Sequence, residues 1–140
     1  MSAQPQRHIL LFAHNFPPSN TSGVQRPLRF WKYLPEFGIT AHVICSSQAG
    51  VDPSRANVHY APASNGYGLR TKSQVALARV IQRILPHNER VQWAPYAVAE
   101  ADRLIKQYPI SALFSTFPPL GSHLAGMWTA ARHGLPWIAD

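Results

Sequence analysis

The sequence holds a single cysteine, Cys45, in 140 residues. No disulfide can form within the chain, which excludes a small disulfide-stapled scaffold. Cys45 lies late in an apolar run and reads as a small core residue, because no neighbouring feature would lower its pKa. Acidic residues are scarce: six Asp and Glu stand against thirteen Lys and Arg. That leaves no carboxylate cage for a hard cation, and no Asp-x-Asp pair for a divalent-metal sugar-nucleotide site. None of the seven histidines stands at H-x-x-x-H spacing, so no metal is expected. No apolar run reaches the ~18 residues that a membrane helix requires. Met1 to Arg7 is polar, and the apolar run behind it is too short, and too soon followed by prolines, for a secretory signal. The expected location is cytoplasmic. The phosphate-binding signatures G-x-x-x-x-G-K-[ST] and G-x-G-x-x-G are both missing, as are helix-turn-helix, zinc and RNP-like motifs.

What is present suits one globular domain with a real core: 46% of residues are hydrophobic, at a length that buries a sizeable fraction of the chain. The net charge of +7 is spread along the sequence instead of bunched. It suits phosphate-bearing ligands, and peripheral contact with an anionic membrane at its inner face, better than nucleic acid.

The stretch from His8 to Arg26 organises the chain. Ile9 to Ala13 is a continuous apolar run of strand length, the pattern of a parallel strand covered on both faces. Phe16-Pro17-Pro18 cannot continue it, because proline removes a ladder donor and fixes φ. Gly23 then opens an amphipathic helix and lets backbone approach a ligand without a Cβ in the way. The N–H groups of Gly23, Val24 and Gln25 are expected to be free at the helix start, where the macrodipole favours an anion. Strand, loop and helix start make the phosphate corner of a nucleotide-binding α/β unit. Read blandly, Gly23 is a helix cap and Arg26 a solvated helix arginine; in the sharper reading Arg26 pairs with a phosphate.

Further elements follow by pattern. A helix over 24–36 places Val24, Leu28, Trp31 and Leu34 on one face, and Pro35 and Gly38 end it. Strands are expected over 40–46 and 57–61. A turn-rich loop over 62–70 precedes a basic amphipathic helix over 73–85, which either packs on the sheet or touches an anionic bilayer. A helix over 93–108 turns Ala97, Ala101, Leu104 and Ile105 inward and Glu100, Asp102, Arg103 and Lys106 outward. A strand over 111–116 leads into a second Phe-Pro-Pro, at Phe117-Pro118-Pro119. A helix over 120–132, closed near Gly134, leads to a further buried strand over 135–140. This alternation predicts an α/β fold: a Rossmann-like three-layer α/β/α arrangement with a mainly parallel sheet. Both Phe-Pro-Pro segments follow a strand and precede a helix, so both lie at the carboxyl edge, where open α/β sheets bind ligands.

Four polar residues belong to that edge. His14 and Asn15 stand at the first strand tip, either facing the crevice or capping the loop. Ser122 and His123 lie in the first turns of the helix after the second Phe-Pro-Pro. His123 either binds an acceptor hydroxyl, serves as a base, or has no role beyond the helix. Asp140 ends an apolar strand at the same edge, a usual place for a catalytic carboxylate. A strand ending there without a following turn suggests the N-terminal part of a longer protein.

Several of these segments resemble one family. Phe16-Pro17-Pro18, Ser22-Gly23-Val24-Gln25-Arg26-Pro27 and Lys32-Tyr33-Leu34-Pro35-Glu36-Phe37-Gly38 look like the opening of bacterial family 4-like glycosyltransferases. Trp93-Ala94-Pro95, Phe117-Pro118-Pro119, Ser122-His123 and Gly134-Leu135-Pro136-Trp137-Ile138-Ala139-Asp140 resemble the rest of their N-terminal domain. The resemblance spans nearly the whole chain apart from 48–70. It implies the N-terminal half of a GT-B fold, the acceptor-side domain of an enzyme whose donor-binding C-terminal domain is absent here. It further implies metal-independent, retaining transfer of a sugar from a nucleotide-sugar donor to a glycan or lipid-linked acceptor, in surface-polysaccharide synthesis. The site residues that follow are Asp140 and His123 for catalysis, and Gly23, Val24 and Arg26 for the donor phosphates. His14, Asn15, Ser22, Pro118 and Ser122 fall to the acceptor. On that reading this chain is inactive by itself. Two other functions fit the same fold: a non-catalytic Rossmann-like module binding a nucleotide or sugar, and a nucleotide-sugar epimerase of similar two-domain build.

Overall fold

The computed structural model of the chain describes residues 5–46, 55–61 and 90–140, together with Lys72, Ser73, Ala76, Val80, Arg83 and Ile84. In chain order the fully described elements are β1 (Arg7–Phe12), α1 (Gln25–Tyr33), β2 (Ile39–Cys45), β3 (Val58–Tyr60), α2 (Ala94–Gln107), β4 (Ile110–Ser115), α3 (Leu120–His133) and β5 (Trp137–Ala139). The strands form one sheet in the order β3-β2-β1-β4-β5, and every pairing is parallel. The fold is Rossmann-like α/β. The expected loop over 62–70 lies outside the described residues, and so does most of the expected helix over 73–85. Of the latter, the five described positions are helical and exposed, as is Lys72 just before it.

The continuous apolar run that builds β1 is explained by burial on both faces. Leu10 and Phe12 pack with Ile44, Trp93, Ala97, Ala101, Leu104 and Leu113 on the α2 and α3 side. Leu11 and Ala13 pack with Phe16, Val43 and Cys45, against Leu28, Phe30 and Trp31 of α1 on the other. Each fully buried side chain of this size stabilises the fold by about 1.5–3 kcal/mol. Ala97 and Ala101, both wholly buried, carry little bulk and let α2 lie close on the sheet. Trp93 anchors the start of that helix, its indole N–H donating to the Ala61 carbonyl at 3.0 Å. Pro27 is tolerated in the first turn of α1, where an amide would lack an intrahelical partner. Pro35 falls in a 3-10 turn, Leu34–Phe37, that tightens the helix end, and Gly38 closes it at φ 71°.

Three expectations are corrected. Asp102 does not face solvent: its Oδ1 meets His133 Nε2 at 2.6 Å and its Oδ2 meets Arg132 Nε at 3.5 Å, tying α2 to α3. Glu100 is likewise largely covered, bonded to Arg103 and 3.9 Å from His59 Nδ1. The last strand is not buried, because β5 is an edge strand, and Ile138 remains 58% exposed.

One cluster has no counterpart in the sequence reading. His8, His42 and His59 come from β1, β2 and β3 and form a row beneath α2. His8 Nδ1 lies 3.0 Å from His42 Nε2, and His42 Nδ1 lies 3.4 Å from His59 Nε2. Tyr108 covers His42 at 4.2 Å between ring centroids. Burial, with the flanking His59 and His8, pushes the pKa of His42 down to about 4.

Candidate functional site

In the order β3-β2-β1-β4-β5 the chain reverses its direction of travel across the sheet between β1 and β4. The loops leaving these neighbouring strands part in opposite directions and leave a crevice at the carboxyl edge. An open cleft of about 390 Å³ lies there. Its walls are Ser22, Gly23, Gln25, Arg26 and Arg29 from the β1 side, and Thr116, Phe117 and Pro118 from the β4 side. Backbone hydrogen bonds fix both walls. Thr116 N–H donates to the Phe12 carbonyl at 3.2 Å, and Phe117 N–H to the Asp140 carbonyl at 3.0 Å.

The helix start on the first wall begins with a 3-10 turn, Ser22–Val24, before α1. Neither the turn nor α1 has a side-chain cap, and no acidic residue lies in the first turn of either. Positive dipole, unfilled cap and the two arginines Arg26 and Arg29 favour an anion here. The expectation that Val24 offers a free amide is corrected. Its N–H donates to the Thr21 carbonyl at 3.1 Å and its side chain is 3% exposed. The apolar side chain is drawn into the core, and the tightened turn uses its amide. Gly23 is not imposed by the fold. A Cβ there would meet Asn15 Nδ2 at 3.6 Å and the Pro118 carbonyl oxygen at 3.8 Å, both ordinary contacts.

Across the cleft mouth, Arg26 Nη1 bonds Asp140 Oδ2 at 2.7 Å. Asp140 thus stands beside the helix start, as its place at the carboxyl edge suggests. His123 lies close to this corner, its ring stacked on Phe117 at 5.8 Å. Burial lowers its pKa, and the Asp140 carboxylate acts in the opposite sense. Its Nδ1 is 2.8 Å from Ser115 Oγ, which also accepts from Trp137 Nε1 at 2.9 Å.

The remaining expected residues divide. Ser22 and Pro118 line the cleft. Asn15 borders the Gly23 turn, and its Oδ1, an acceptor, receives the Nδ1–H of His14 at 3.0 Å. His14 is half-buried against the edge of Trp93, and burial is the main cause of its lowered pKa, with the nearby Arg90 charge acting the same way. Ser122 faces inward: it is fully buried and its Oγ accepts from the His14 amide at 3.2 Å. It joins the loop after β1 to α3 and does not line the cleft. Arg29 was not singled out by sequence, although it stands one turn after Arg26 and so shares its helix face. Thr116 was missed because nothing local marks it.

Among the described residues no group of three or more His, Cys, Asp or Glu side chains is placed to hold a metal ion. No described helix is long and apolar enough to cross a membrane. Comparison with protein-family models, curated proteins and solved structures finds no match to this chain.

Proposed function

We propose that the chain is the acceptor-side domain of a family 4-like GT-B glycosyltransferase, which moves a sugar from a nucleotide-sugar donor to a glycan or lipid-linked acceptor with retention. The observation that carries the reading is the cleft at the β1/β4 divergence, with an uncapped helix start, a glycine the fold does not require, and two arginines on one wall. A diphosphate fits that chemistry: Gly23 allows backbone contact, and Arg26 and Arg29 supply charge-assisted hydrogen bonds. Charge leaving onto the diphosphate in the transition state would be offset by the same donors. Asp140, on the Arg26 side, would offset the positive charge that grows on the anomeric carbon. His123 would contact a sugar hydroxyl. The motif resemblance supports the family and the sugar; the arginines and the uncapped helix start support an anionic ligand.

Calorimetric titration of the chain with UDP, inorganic pyrophosphate and uridine tests this. Binding of the first two but not of uridine, weakened by Arg29→Ala, is expected. Equal binding of uridine, or titrations insensitive to Arg29, would remove the diphosphate site and with it the transferase reading. In a longer enzyme, Asp140→Asn is expected to lower kcat more than it changes KM, whereas a change in KM alone would make Asp140 a binding residue.

A further inference from the structure

We infer that a relay of Trp137 and the buried Ser115 locks the His123 ring as its Nε2–H tautomer, so that His123 serves its site as a hydrogen-bond donor and not as a base. Each hydrogen of the relay has one place to go. Indole N–H can only donate, so at 2.9 Å Trp137 Nε1 occupies a lone pair of Ser115 Oγ. Ser115 is fully buried, and its one hydroxyl hydrogen must find an acceptor. His123 Nδ1 stands 2.8 Å away and supplies it. An imidazole that accepts at Nδ1 is neutral and carries its proton on Nε2.

The relay is built into the packing. A Cβ at Gly126 would stand 2.5 Å from Trp137 Nε1 and 3.2 Å from Ser115 Cβ. The missing side chain is therefore what lets the indole reach the serine between α3 and β4. Gly126, Trp137 and Ser115 are positioning residues that act through His123. Among the described residues, the charged group set against the ring is the Asp140 carboxylate. An Nε2–H donor suits an oxygen bearing lone pairs, such as a sugar hydroxyl or a phosphoryl oxygen. That choice of oxygen rests on the transferase reading; the tautomer does not.

Long-range 15N–1H correlation spectra of the ligand-free chain, with the His123 signals assigned by their loss in His123→Asn, read the tautomer directly. The Nε2–H pattern is expected in the wild type near neutral pH. Ser115→Ala, which removes the hydroxyl, is expected to convert it to a mixture of tautomers. Trp137→Phe keeps the ring but removes the N–H; it is expected to leave Ser115 free to turn its hydrogen and to give a mixture as well. An Nδ1–H pattern in the wild type would overturn the inference. So would a tautomer unchanged in both variants. Because no ligand is present, failure here leaves the diphosphate titrations standing, and failure of those titrations leaves the tautomer standing.

Discussion

Arg26 and Asp140, 114 residues apart in sequence, meet at 2.7 Å across the mouth of the cleft. The pair closes the phosphate corner electrostatically, since the carboxylate partly neutralises a cation that an incoming anion would use. The guanidinium is 60% exposed and the carboxylate 35% exposed, so the contact adds little to stability. Asp140→Asn is expected to shift unfolding free energy by less than about 1 kcal/mol. It is expected to raise affinity for inorganic pyrophosphate about threefold to tenfold at low ionic strength, with the gain shrinking as salt is added. Paired denaturant melts and calorimetric titrations check both. A lowered affinity would mean that Asp140 holds Arg26 in its binding position.

Gly23→Ala separates fold from ligand. Gly23 has no positive φ, and its Cβ position is open to ordinary contacts. Alanine there restricts the unfolded chain, and a gain of about 0.4–1 kcal/mol is expected from chemical denaturation. Affinity for pyrophosphate is expected to fall at the same time. If binding and stability both rose, close backbone approach at Gly23 would be excluded.

Gly126→Ala should act in the opposite way. The new methyl would sit 2.5 Å from Trp137 Nε1. Such overpacking costs about 1–3 kcal/mol. The indole N–H resonance of Trp137 is expected to move as its bond to Ser115 is lost. A neutral substitution with that resonance unmoved would show that the contact relaxes at no cost.

Stability is expected to fall on acidification through the histidine row. His42 is fully buried, and its folded pKa of about 4 lies below its ordinary 6.5. The unfolded chain therefore binds its proton first as pH drops, and stability is lost between pH 6.5 and about 4, where the loss levels off. The amount is about 3 kcal/mol for this one group. His14, His59 and His123 have pKa values lowered in the same direction. Urea melts at a series of pH values measure the slope, and His42→Phe is expected to flatten it. An unchanged slope in that variant would assign the acid sensitivity to the other histidines.

Cys45 is expected to be inert in the folded chain. Burial raises its thiol pKa to about 12. Alkylation by iodoacetamide near neutral pH should proceed only as fast as the protein unfolds, and modification of the folded chain at a model-thiol rate would contradict the structure.

The strands of the parallel sheet were legible because burial on both faces leaves continuous apolar runs, as in Leu10, Leu11 and Phe12. The carboxyl-edge position of both Phe-Pro-Pro segments was legible because proline stops a strand where it stands. Residues whose role depends on a partner far away in sequence were not legible. Asp102 looks like any polar helix residue until His133 of the next helix is beside it. Ser122 reads as a cleft residue, but the His14 amide turns it inward. Val24 shows how two signals compete: an apolar side chain at a helix start is pulled to the core and takes its amide along. Ser115 carries no local mark at all, and its meaning comes from Trp137 and Gly126. The exposure of the last strand was equally hidden, since its apolar composition is that of an inner strand and its edge position follows from the order of pairing.

The claim of a diphosphate site in this cleft is put to the test by a crystal structure of the chain grown with UDP. The diphosphate is expected in the cleft between the Gly23 turn and the Phe117-Pro118 wall, with Arg26 and Arg29 on its oxygens. A nucleotide bound elsewhere, with that cleft unchanged, would contradict the claim.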